Sequence, residues 1–89
     1  MKIIWAASAL ADYHYWQDTN PRMADKINRL IADIQRSPFT GIGKPEPLKN
    51  DFAGFWSRRI DKEHRLTYRV IGKPGADQRI EIAQCRYHY

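Results

Sequence analysis

One cysteine, Cys85, stands in 89 residues. The chain therefore cannot close a disulfide within itself, and its fold does not call for an oxidising compartment. No apolar run approaches the roughly 18 residues of a membrane span. Met1 to Ala11 imitates a secretory leader, with a lysine, an apolar stretch and then Ala9-Leu10-Ala11. A leader needs an unbroken apolar segment of about 7–15 residues, and Trp5 and Ser8 interrupt this one. A soluble, cytoplasmic protein is the expectation. Gly41-Ile42-Gly43-Lys44 has neither the spacing nor the strand–loop–helix setting of a phosphate-binding loop. Cys85 and His88 form half of a zinc site with no second half elsewhere, so no metal or other cofactor is expected. No repeat, linker or low-complexity tract divides the chain, and residues 1–89 are expected to fold as a single domain.

Acidic residues are also in deficit. Fifteen lysines and arginines against ten aspartates and glutamates give +5, and most of the excess lies in residues 44–89. Such a balance favours a polyanionic partner. With 43% hydrophobic residues, the chain can fill one modest core.

The apolar spacing sets out the elements. Lys2-Ile3-Ile4-Trp5 reads as a first strand. Ser8 offers a capping hydroxyl for a helix carrying Leu10, Tyr13, Trp16 and Gln17. Asn20-Pro21 breaks that helix and starts another, with Asn20 as cap and Pro21 at the first position, where a missing N–H costs nothing. Met23, Ile27, Leu30, Ile31 and Ile34 then form one apolar stripe ending near Arg36. Residues 37–47, SPFTGIGKPEP, read as a proline-stiffened loop in which Glu46 is expected to be partly buried. Strand-like runs follow at 55–60, 64–71 and 78–87, joined by turns at 61–63 and 72–77. The expected fold is α+β, in the order β-α-α-β-β-β, with two N-terminal helices on one face of a mainly antiparallel twisted sheet.

Alternation within the strands assigns their faces. Leu66, Tyr68 and Val70 belong under the helices, and so do Trp56, Ile60 and Ile82; Arg58, of the same parity, is expected at the sheet edge. Arg59, Arg65 and Arg69 then project from the open face, with Cys85 expected on that side too. The terminal Arg86-Tyr87-His88-Tyr89 adds cationic, aromatic and imidazole groups. Guanidinium forks and aromatic faces suit RNA phosphates and unstacked bases, although a solvated basic face fits the composition equally well.

Metal-free cleavage of RNA needs a base for the 2′-hydroxyl, a cation for the phosphorane and an acid for the leaving 5′-oxygen. Glu46, Arg65 and His88 are the candidates for those roles. His14 and His64 read as surface and turn-flanking residues.

Gly41-Ile42-Gly43-Lys44-Pro45-Glu46-Pro47-Leu48-Lys49, Phe55-Trp56-Ser57-Arg58-Arg59-Ile60, Glu63-His64-Arg65-Leu66 and the final Cys85-Arg86-Tyr87-His88-Tyr89 together resemble the YoeB/Txe family of RelE-like toxins. The resemblance spans essentially the whole chain. It implies a RelE-like microbial RNase fold and the toxin half of a type II toxin–antitoxin pair, acting as a ribosome-dependent endoribonuclease on mRNA in the A site. It further implies Glu46 as general base, His88 as general acid and Arg65 at the scissile phosphate, with Lys49, Arg59 and Tyr89 binding or orienting the substrate. The implied partners are the ribosome with its mRNA and a YefM/Axe-like antitoxin bearing an acidic segment. Operator DNA would be met only through the antitoxin complex; a homodimer is possible, and no membrane is involved. A ParE-like gyrase inhibitor of the same fold, or a non-catalytic RNA- or ribosome-binding module, would be the alternatives. Neither has a use for the acid–base pair. The turn from Gly72 to Gln78 looks longer than the family's usual one.

Overall fold

The computed structural model describes residues 1–87. Its elements are β1 (Lys2–Trp5), α1 (Ala7–Thr19), α2 (Pro21–Arg36), β2 (Glu46–Pro47), a single 3-10 turn (Asn50–Phe52), β3 (Trp56–Arg59), β4 (Arg65–Lys73) and β5 (Ala76–Gln84). The strands form one sheet in the order β1-β5-β4-β3-β2. β1 runs parallel to β5, and every other pairing is antiparallel. Both helices pack on one face, as the α+β expectation requires.

The helix pair follows from local chemistry. Pro21 opens α2, whose Met23, Ile27, Leu30 and Ile34 are buried against the sheet, and the helix ends at Arg36. Neither expected side-chain cap forms. Ser8 lies inside the first turn of α1, and the Asn20 carbonyl, not its amide, takes the Met23 N–H at 2.9 Å. Leu66, Tyr68, Ile80 and Ile82 supply the sheet side of the core and are fully enclosed.

Three local expectations are corrected. The loop contains an additional strand, because Glu46 and Pro47 pair with Ser57 and Trp56, so the sheet has five strands. Cys85 is buried in the core beside Ala9. The cause is a bulge: Thr67 faces Gln84 while Tyr68 faces Ile82, leaving Ala83 as the extra residue and reversing the inside–outside alternation after it.

Arg58 is the third correction. It is completely buried rather than at an edge. Its guanidinium donates to Asp33 Oδ2 at 2.5 Å and to the carbonyls of Ser37, Thr40 and Ile42, and its Nε donates to Tyr68 Oη. Tyr68 Oη in turn donates to the Pro38 carbonyl. The loop from Ser37 to Ile42 is thus wrapped around one cation. Three backbone carbonyls and a carboxylate supply what burial of a charge demands.

Candidate functional site

The face of the sheet away from the helices carries its polar groups in rows, of which Ser57 and Thr67 are buried. Ser57 faces Thr67, Thr67 faces Gln84, and Glu46 faces Ser57 at the outer strand. One row along, Arg59 faces Arg65. Strand spacing and rise then put the Cα atoms of Glu46 and Arg65 about 12 Å apart, two strands and two residues removed. A glutamate and an arginine that extend toward each other over that gap can flank a single phosphodiester. Glu46, Arg59 and Arg65 therefore share one surface.

Each is held differently. Glu46 is exposed, so the partial burial expected of its loop is not found. Its backbone is fixed instead by the ladder to Ser57 and by the Arg59 N–H, which bonds the Gly43 carbonyl at 2.6 Å. Lys49 is exposed just beyond Leu48, whose N–H bonds the Phe55 carbonyl. Arg65 is half-buried, with Nη1 on the carbonyls of Asp61 and His64 at 3.0 and 3.2 Å. Among the described residues neither Arg59, Arg65 nor Lys49 pairs with a carboxylate, so their charge remains available to a ligand. Arg69 differs. It pairs with Glu81 at 2.9 Å and lies over the Phe55 ring, which neutralises that end of the face.

His88 and Tyr89 lie outside the described residues. The segment leading to them is heavily tied. The Cys85 carbonyl accepts from Trp16 Nε1 at 2.9 Å and the Cys85 N–H donates to Asp12. Burial and the nearby Asp12 carboxylate push the Cys85 thiol up to about 12, and its Sγ donates to the Ala9 carbonyl. That cysteine is a packing residue. Arg86 lies 3.6 Å above the Tyr15 ring. Tyr87 is bracketed: its carbonyl takes the Arg65 N–H at 2.9 Å, and its N–H donates to His64 Nδ1 at 2.7 Å.

Sequence reasoning read His64 only as turn-flanking, which it is, and did not single out Asp33. His64 sits on the turn that Asp61 closes, where Asp61 Oδ1 takes the N–H groups of Glu63 and His64. Hydrogen bonds from Arg58, the Ile42 N–H and Arg36 hold the Asp33 carboxyl below its ordinary 3.8. Nothing in local spacing marks either residue, since both act on segments distant in sequence. On the flank of the sheet, Lys26, Arg29 and Arg59 surround a pocket of about 160 Å³ lined by Leu30, Ile42 and Ile60. Among the described residues, no three His, Cys, Asp or Glu side chains gather to hold a metal ion.

Comparison with known proteins adds an independent line. Residues 5–89 match the family model described as the YoeB-like toxin of bacterial type II toxin–antitoxin systems. The chain is 55% identical to toxin YoeB of Escherichia coli K12 over 89 residues, covering all of both chains. The YoeB/ParE toxin from Agrobacterium tumefaciens superposes with a TM-score of 0.95 at 56% identity, also over the full length of both. Two Staphylococcus aureus structures match at 44% identity over all of this chain and 98% of theirs: a YoeB dimer at TM-score 0.89 and a heterotetrameric YoeB–YefM toxin–antitoxin complex at 0.87.

Proposed function

Because this chain belongs to the YoeB-like toxin family of type II toxin–antitoxin systems, we propose that it is a ribosome-dependent endoribonuclease that cuts mRNA in the A site. The observation that carries this reading is the meeting of Glu46, Arg59 and Arg65 on the sheet face away from the helices. In the reaction, the Glu46 carboxylate takes the proton of a ribose 2′-hydroxyl. The freed oxygen forms a bond to phosphorus as the bond from phosphorus to the 5′-oxygen breaks. Arg65 offsets the extra charge on the phosphorane, which a fixed guanidinium does best when water is excluded. His88 gives a proton to the departing 5′-oxygen. The products are a 2′,3′-cyclic phosphate, which can open to a 3′-phosphate, and a 5′-hydroxyl end. Lys49, Arg59 and Tyr89 bind and orient the strand.

The ribosome supplies the ordered mRNA that an exposed carboxylate needs. Its RNA also suits the +5 charge. In the cytoplasm the toxin is held by a YefM-like antitoxin whose acidic segment covers the basic face, with the pocket rimmed by Lys26, Arg29 and Arg59 as a complementary landing place. Operator DNA is reached through that complex, and the free toxin is able to dimerise.

Incubation with mRNA-programmed ribosomes, followed by mapping of new 5′ ends, tests the proposal. Cuts should fall in the A-site codon and require ribosomes. Glu46→Gln and His88→Gln should each lower the cleavage rate by about 10²–10⁴-fold, and Arg65→Ala by about 10²–10³-fold. Growth arrest that persists undiminished in all three variants would overturn the nuclease and point to gyrase inhibition or simple ribosome binding.

A further inference from the structure

We propose that His64 is a positioning residue whose neutral Nδ1, by accepting the Tyr87 N–H, aims the chain as it continues into His88. The proposal deepens the nuclease reading and rests on it only for its effect on cleavage.

The direction of the hydrogen bond is not a choice of tautomer. A backbone N–H can only donate, so at 2.7 Å the facing Nδ1 must present its lone pair, and the imidazole carries its one proton on Nε2. His64 is only 9% exposed, and its ring packs edge-on against Trp16 at 4.7 Å and beside Tyr87 at 5.2 Å. Its backbone is clamped as well. Asp61 Oδ1 takes the His64 N–H, and the His64 carbonyl takes the N–H of Ile60. A rigid acceptor therefore meets the Tyr87 backbone.

Tyr87 shows the effect of this clamp. Its φ is 61°, a left-handed conformation that an aromatic residue adopts only when its surroundings enforce it. The enforcement comes from both sides of the residue, through His64 at its N–H and the Arg65 N–H at its carbonyl. Arg65 is the proposed phosphate-stabilising cation, and Tyr87 directly precedes the proposed acid. The same two consecutive residues, 64 and 65, thus fix the chain's exit and supply the cation.

Two variants separate positioning from mere packing. Asparagine places Oδ1 near the position of Nδ1 and does not titrate; leucine fills space with no acceptor. In the full-length protein, the Tyr87 amide should be protected relative to an unstructured peptide at the same pH. At that one pH its protection factor should fall by about tenfold or more in His64→Leu and be largely retained in His64→Asn. On programmed ribosomes, His64→Leu should lower kcat about 10–100-fold with KM nearly unchanged, as expected for misplacement of a reacting group. His64→Asn should restore most of that loss. Unchanged Tyr87 protection in His64→Leu, or His64→Asn behaving no better than His64→Leu, overturns the proposal. If His64→Leu does not fold, His64→Phe, which fills the space with a ring and offers no acceptor, takes its place in both comparisons. Exchange behaving as expected in a protein that cuts no RNA would keep the positioning role and sink the nuclease.

Discussion

At the scale of single residues, Arg58 carries the most consequence outside the proposed chemistry. It lies in a run of three polar residues, Ser57-Arg58-Arg59, and alternation alone puts it on the helix side. What could not be read locally is that α2 supplies Asp33 and the following loop supplies three carbonyls, so the expectation of an edge position failed. Arg58→Ala removes the cation and strands those acceptors in the interior. The expected loss, seen as a shift of the urea unfolding midpoint, is on the order of 3–5 kcal/mol. A loss below about 1 kcal/mol would mean that the loop is held by other means. Arg59 and Arg65 were legible from strand parity, which decides which side chains can share a face; Glu46 stood out by residue type in a proline-stiffened loop, and Lys49 came only with the family resemblance. The Tyr87–His64 bond was not, since it joins residues 23 apart through backbone geometry that no pattern encodes.

At the scale of elements, the strongest periodicities translated directly. The α2 stripe gave a helix ending at Arg36, and the alternation of Leu66 and Tyr68 gave the inner face of β4. Irregularities did not. The bulge at Ala83 reverses alternation for the residues that follow it, and two-residue β2 is too short to leave a pattern. The turn that looked long is mostly hairpin, because β4 continues to Lys73 and β5 begins at Ala76. Gly72 makes that extension possible. It has φ of 93°, and a Cβ there would press on the Asp77 backbone. Gly72→Ala should therefore destabilise the protein by about 1–3 kcal/mol in thermal or urea melts. A neutral result would show that the hairpin can shift its register without cost.

At the scale of the whole molecule, acid sensitivity follows from two carboxylates. Hydrogen bonds from Arg58, Ile42 and Arg36 keep Asp33 more acidic than usual. Burial pushes Asp61 the other way, but the N–H groups of His64 and Glu63 outweigh it and its carboxyl is lowered too. A carboxyl depressed by folding contributes its stability above its unfolded value and loses it as the pH falls through the folded one. The difference in urea midpoint between the parent protein and Asp33→Asn should hold steady above about pH 5 and shrink below about pH 4. A gap that widens in acid would reverse the assignment. The parallel pairing of β1 with β5 has a further consequence, one of timing. β5 follows the other described strands in the chain yet lies inside the sheet, between β1 and β4. During synthesis β1 therefore has no strand partner until β5 has been made. The five strands cannot close into one sheet before that segment is available.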